Sequence, residues 1–194
     1  MKKLRHLFLP LVLASNATIA MADWKLNNEL SRLSFVSIKK EHIAESHFFS
    51  NVQGGVDAAG QINVMVKLDS VQTNIDIRNE RMRQYLFETS KYPNAVITGK
   101  IDINKALKLV PGATSTETVK LNLNMHGQTH PIDATLAVAK LKDKKIVVST
   151  LQPILLNASK YGLTPGIDKL KELAGLNSIS FAVPVTFELV LEKA

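Results

Sequence analysis

Eight stretches of this chain read as extended, several of them with apolar side chains at every second position, and few folds accept that period repeatedly. Val119, Leu121, Leu123 and Met125 alternate with Lys120, Asn122, Asn124 and His126, while Phe181, Val183, Val185, Phe187, Leu189 and Leu191 share one face of the last stretch. A two-residue period turns one face of a strand inward and the other to water. On this basis segments 33–39, 52–58, 62–69, 95–103, 118–126, 131–140, 145–151 and 180–192 are expected to be extended. Gly60, Gly127 and the Asp143-Lys144 pair punctuate three successive pairs as hairpins of a meander. An antiparallel sheet with one apolar face most simply closes into a barrel, which leaves no free edge and has room for one small ligand. A two-sheet sandwich has the same local signature, and periodicity does not separate the two. Pro184, inside the last strand, predicts a bulge or an interrupted pairing.

Two short helices are expected to interrupt the strands. From Arg78 the period lengthens, with Met82, Tyr85 and Leu86 at i, i+3 and i+4 beside Arg78, Arg81 and Arg83. Tyr92-Pro93 then restores extended chain, because proline disfavours helix in the residue before it. The second helix takes Thr164 as N-cap and Pro165 as its first residue. It presents Ile167, Leu170, Leu173 and Ala174 on one face and stops at Gly175.

The amino terminus bears on compartment. Lys2, Lys3 and Arg5 precede an apolar run at 7–14, and Ala20-Met21-Ala22 supplies small residues before Asp23. This is the layout of a secretory signal peptide spanning 1–22, leaving one domain over 23–194 that no linker divides. The run is far short of the roughly 20 apolar residues a membrane span needs. Cleavage removes three bases and no acid, so the formal charge falls from +7 to +4, which gives nucleic-acid binding little electrostatic support. The chain has no cysteine, which excludes a disulfide framework, a thiolate nucleophile and a cysteine-based zinc site.

Candidate chemistry is sparse. His126 and His130 flank a Gly-Gln-Thr turn near Asp133, and His42 and His47 fall with Glu41 and Glu45 in a segment that reads as polar loop. Either set offers zinc-ligand types, yet no spacing fixes a third ligand. No serine lies in a Gly-x-Ser-x-Gly elbow, and the Asp57/Asp69 and Glu80/Glu88 pairs have no spacing that forces convergence. No catalytic residue, metal or cofactor is assigned. Arg78, Arg81 and Arg83 beside Met82, Tyr85, Leu86 and Phe87 admit two readings: a barrel mouth whose guanidinium groups hold a polar head, or a solvated face paired with Glu80 and Glu88. For Arg78 the choice is between a ligand contact and an anchor of its loop. The aromatics Phe35, Phe48, Phe49, Phe87, Phe181 and Phe187 either line a cavity or fill a core.

The order of elements resembles the YceI-like family, the polyisoprenoid-binding proteins of the bacterial periplasm. The resemblance rests on Ser70-Val71-Gln72-Thr73, then Arg78-Asn79-Glu80-Arg81-Met82, Leu86-Phe87 and Tyr92-Pro93 opening the next strand. Trp24, Gly127-Gln128-Thr129-His130-Pro131 and Ser159-Lys160-Tyr161-Gly162-Leu163 extend it over the rest of the chain. Asn79, Arg81 and Met82 depart from the Asp, His and Leu usual in the family. The resemblance implies an all-β fold, an eight-stranded antiparallel lipocalin-like barrel with two short helices, holding an elongated apolar tunnel. It also implies a non-catalytic periplasmic carrier of an isoprenoid or acyl lipid, such as a polyprenyl phosphate or a quinone, in transient contact with a membrane surface. The rival reading is an envelope interaction module with a closed core. Arg78, Tyr85, Leu86, Phe87, Phe35, Phe49, Phe181, Val185, Phe187 and Leu189 are the expected cavity or mouth residues.

Overall fold

The computed structural model describes residues 23–194, so the expected signal peptide lies outside the described residues. Eleven strands form one antiparallel sheet: β1 (Trp24–Lys39), β2 (Ile43–Phe49), β3 (Val52–Val56), β4 (Gln61–Lys67), β5 (Val71–Gln72), β6 (Asn94–Lys100), β7 (Thr114–Met125), β8 (Gln128–Lys140), β9 (Lys145–Thr150), β10 (Ile154–Asn157) and β11 (Ala182–Lys193). The ladder runs β1-β3-β4-β6-β7-β8-β9-β11, and β11 pairs back onto β1, closing an eight-stranded barrel. Closure decides the question that alternation left open between barrel and sandwich.

At one end of the barrel both closing strands change partner. β1 pairs with β3 at Trp24 and Lys25 and with β2 from Leu33 to Lys39. Between these lies a bulge, where the register against β11 slips between Asn27 and Arg32. Asn28 stitches it to the neighbouring wall, its Oδ1 accepting from Val52 N at 2.7 Å and its Nδ2 donating to Ser50 O at 2.9 Å. β11 passes from β9, paired over Glu188–Glu192, to β10, paired over Ala182–Val185. Pro184 lies in this second stretch opposite Leu155 in an unshifted register, so the expected bulge or interruption is not at the proline; the change of partner falls beyond it, between Val185 and Glu188.

Three helices close the ends. α1 (Asp76–Arg81) continues into a wider turn at Met82–Leu86, where Phe87 N donates to Met82 O at 2.9 Å. That extra residue brings Met82, Leu86 and Phe87 to the same buried side. α2 (Ile103–Lys108), not anticipated because 95–103 read as one strand, plugs the opposite end with Ile103 and Ala106. α3 (Thr164–Leu173) begins one residue away from the expected cap, since Leu163 is its boundary residue and carries no side-chain capping bond. It packs hard on the α1 extension. A β-carbon at Gly166 would run into the Tyr85 carbonyl oxygen and lie 2.7 Å from Leu86 Cα. Among the described residues, no helix is long and apolar enough to cross a membrane.

Candidate lipid tunnel

The interior is hollow. A chamber of about 180 Å³ occupies the barrel, lined by alternate residues of β4 (Ile62, Val64, Val66), β7 (Val119, Leu121, Leu123) and β11 (Val185, Phe187, Leu189). A second chamber of about 360 Å³ lies between the barrel end and the helices, walled by Met82, Leu86 and Phe87 of the α1 extension and by Leu163, Ile167 and Leu170 of α3. Met125, Leu156 and Val185 belong to both chambers and form the waist between them. Val185, Phe187 and Leu189 point into a closed barrel yet stay only half-buried, as side chains facing empty space must. The mouth opens past Ile75 and Ile77, which line the outer chamber and are 47% and 50% exposed.

One corner of the outer chamber is polar. Inward residues of β1 (Ser37, Lys39) and β2 (Glu45, His47) face Arg78 of α1 there. Glu45 Oε2 accepts from Lys39 Nζ at 2.8 Å and from Arg78 Nη1 at 2.9 Å. Arg78 Nη2 donates to Thr73 O at 2.7 Å. The hydrogen bond from Lys39, helped by Arg78, holds the Glu45 carboxyl below its ordinary range. His47 is 2% exposed, and its Nε2 lies 2.8 Å from Ser37 Oγ. Burial first, then the Arg78 and Lys39 charges, push its pKa down against the pull of Glu45, which favours the neutral ring. Thr73 is fixed in turn by Asn79, whose Oδ1 accepts from Thr73 N at 2.8 Å and Thr73 Oγ1 at 2.7 Å. Asn79 Nδ2 also donates to Gln72 Oε1 at 3.4 Å, so the amide keeps the turn together without burying a charge.

Of the expected residues, Phe35, Arg78, Leu86 and Phe87 line the outer chamber, Phe187 and Leu189 the inner one, and Val185 both. Three lie elsewhere. Phe49 sits behind the wall, its ring 5.4 Å from Phe35 and 5.8 Å from Phe87. Tyr85 is half-buried outside both linings. Phe181 precedes β11, is 37% exposed and lines neither chamber, because the inward alternation begins only at Val183. Arg81 and Arg83 are not simply solvated: each donates to a backbone carbonyl at 3.2 Å, Arg81 to Leu173 O and Arg83 to Asp69 O. Glu88 pairs instead with His126 at 2.7 Å.

Sequence reasoning did not single out Ser37 and Lys39, and it placed Glu45 and His47 in a polar loop as zinc-ligand types, whereas 43–49 is a strand. The signal was present in the run Ile43, Glu45, His47, Phe49, an alternation whose inward positions are partly polar. The histidine clusters do not converge on a metal: among the described residues no three His, Asp or Glu side chains come together. His130 Nε2 instead lies 2.9 Å from Lys160 O, and its ring meets Tyr161 edge-on at 5.2 Å.

Comparison with known proteins agrees with this geometry. A polyisoprenoid binding domain from Saccharophagus degradans, implicated in plant cell wall breakdown, is 40% identical with a TM-score of 0.87, covering 89% of this chain and 99% of its own. BcnA of Burkholderia cenocepacia shares the fold at 16% identity and TM-score 0.64, over 85% of this chain and 98% of its own. A Campylobacter jejuni YCEI protein shares it at 21% identity and TM-score 0.55, over 76% and 85%. No curated protein matches the sequence. The model of the YceI-like domain matches residues 16–191, and the chain therefore belongs to the YceI-like family.

Proposed function

We propose that this protein is a non-catalytic periplasmic carrier that holds one isoprenoid amphiphile, its tail in the two chambers and its head at the mouth. The observation that carries the reading is the pair of adjoining, largely apolar chambers, one inside the closed barrel and one beneath the helices, which share Met125, Leu156 and Val185 in their walls. Burial supplies the affinity, since each methylene moved from water contributes about 0.8 kcal/mol. The 40% identical relative is a polyisoprenoid binding domain, which favours an isoprenoid over a fatty-acyl tail. The basic and apolar leader before Asp23 supports export. Ile75 and Ile77 at the rim suit transient contact with a bilayer from which the lipid is drawn.

Two alternatives are weaker. An interaction module with a closed core would have no use for the chambers. A hydrolase reading would start from the Ser37–His47 hydrogen bond, but His47 Nδ1 has no carboxylate to orient it, and neighbouring cations reduce its basicity. Organic extraction of protein purified from its native periplasm, followed by mass spectrometry, tests the carrier. An isoprenoid lipid in about equimolar yield is expected, with a protein that begins at Asp23. Lipid-free protein that takes up no prenyl lipid when offered one overturns the reading.

A further inference from the structure

The end of the barrel away from the mouth carries the domain's surplus of positive charge. Two segments meet there, 103–112 with α2 and the turn after it, and 139–145 with the β8–β9 hairpin, and together they hold six lysines and one acid, Asp143. That is +5 in a domain whose formal total over 23–194 is +4, so the remainder is close to neutral. Lys105 pairs with Glu117 at 3.2 Å and Lys145 with Glu192 at 2.9 Å. Among the described residues no carboxylate pairs with Lys108, Lys140, Lys142 or Lys144, and the nearby Asp102 is engaged in capping α2 through Asn104 N at 3.1 Å. The mouth is different, for there Lys39 and Arg78 share Glu45, Lys169 pairs with Glu172 and Lys171 with Asp168. Three apolar side chains stand among the far-end lysines: Leu107, Val110 and Leu141, exposed by 36%, 68% and 40%. We propose that this tip docks on a bilayer containing anionic phospholipids, its lysines meeting lipid phosphates and its three apolar side chains entering the head-group layer, so that the mouth points away from the membrane that holds the protein. The inference goes beyond the carrier reading and does not depend on what the chambers hold.

Lys140 clamps the two segments into one surface. Gly112 N donates to Lys140 O at 2.8 Å, Lys140 N donates to Ala113 O at 3.2 Å, and Lys140 Nζ donates to Leu107 O at 2.6 Å. The turn that carries Val110 is thereby tied to the strand end that carries Leu141. α2 buries Ile103 and Ala106 as the plug and leaves Lys105, Leu107 and Lys108 exposed. In the hairpin, Asp143 and Lys144 take left-handed backbone at φ 58° and 55°, where glycine or asparagine folds at less cost, so folding alone does not account for the lysine. β7 runs from Thr114 at this tip to Met125 at the waist, which puts tip and mouth at opposite ends of the barrel. Lysines by themselves suit any polyanion. Exposed leucine and valine gain nothing from a nucleic acid, but in a lipid head-group layer their burial adds to the attraction between charges.

Vesicle flotation with the protein spanning 23–194 tests this, using phosphatidylcholine alone and phosphatidylcholine mixed with phosphatidylglycerol. Binding is expected to the mixed vesicles only, and to vanish near 1 M salt, where the Debye length falls to about 3 Å. Lys142→Gln combined with Lys144→Gln is expected to weaken it about thirtyfold, about fivefold for each lysine near an anionic surface. Lys169→Gln combined with Lys171→Gln removes the same charge from α3 at the mouth end and is expected to change binding by less than about twofold. Val110→Trp places a reporter at the most exposed apolar position of the tip, and its emission is expected to shift to the blue on mixed vesicles. Both lysine pairs are exposed, so circular dichroism should show each variant folded as the wild type is. Absence of flotation with mixed vesicles overturns the proposal, and so does an equal loss in the two lysine variants, which would mean that net charge alone is felt. Flotation without a blue shift of the tryptophan also overturns it, because the tip would then not enter the head-group layer. None of these outcomes bears on prenyl-lipid uptake, which organic extraction tests separately.

Discussion

Val185→Trp places an indole at the waist, where Val185 meets Met125 and Leu156 and borders both chambers. The outer chamber of about 360 Å³ stays open to the mouth, and the inner one of about 180 Å³ is cut off from it. Short and long ligands should therefore respond differently. An isoprene unit brings five carbons, so excluding one unit from the inner chamber forfeits about 4 kcal/mol of burial, near a thousandfold in Kd. A ligand with a single prenyl unit, which the outer chamber holds, should lose little. The assay is a chain-length series of isoprenoid quinones titrated against both proteins by intrinsic fluorescence or calorimetry. Wild-type affinity should climb with each added unit, and the variant's should level off early. Because the ring enters empty space, melting should shift by only a few degrees, about what 1 kcal/mol produces in a domain of this size. An equal loss for every chain length would refute the two-chamber argument. So would destabilisation of about 1–3 kcal/mol with the chain-length dependence intact, the mark of an overpacked core.

Arg78→Lys should lower the melting temperature through about 1–2 kcal/mol, because one ammonium does not reproduce the bonds to Thr73 O and Glu45; unchanged melting with a loss confined to phosphate ligands would mean that the guanidinium serves the ligand and not the loop. Gly166→Ala should cost about 1–3 kcal/mol and loosen α3 over the mouth, read as faster amide exchange in 164–173, since the new methyl meets the Tyr85 backbone. The folded protein holds the His47 pKa below its ordinary 6.5 while the unfolded chain does not, so the unfolded state binds the extra proton. Stability from this source is full above about pH 6.5 and falls as the pH drops toward the folded pKa. Glu45, lowered from 4.5, adds its own loss only in more acid solution. Melting curves across this range should steepen for the wild type and flatten for His47→Phe, and parallel curves would refute the assignment.

The barrel was legible in the sequence because its inward faces are apolar over long strands: β7, β8 and β11 were found almost whole, with both hairpin turns between 125 and 145. The polar corner was not legible, for a connected reason. β2 turns Glu45 and His47 inward, which inverts the rule used to recognise strands, and the inversion coincides with the polar corner of the outer chamber. The first half of β1 was not among the expected strands, because the polar run Asn27-Asn28-Glu29 breaks the alternation, whereas the structure uses Asn28 as a substitute peptide between strands. β10 has only four residues, too few for a period to register. Arg78 was singled out by its place in the family pattern, and nothing in sequence reveals that two of its three nitrogens are occupied by Glu45 and by Thr73 O. Phe181 failed because alternation was carried two residues too far back.

Closure of the sheet has a kinetic side. The final ladder joins the first strand to the last, Trp24 opposite Lys193 and Phe35 opposite Val185, with Ala194 N donating to Asp23 O at 2.9 Å. Contacts of such sequence separation place this chain among slow folders, in the millisecond-to-second range, since a loop of nearly the whole chain must close before the ladder gains anything. A chain still emerging, carboxyl terminus last, leaves the edges of β1 and β9 unpaired and the apolar lining open to solvent. Both are templates for aggregation during that interval. A prenyl lipid that met the half-built wall would bury the same surfaces β11 later covers, so cargo supplied during refolding should raise the yield of closed barrels.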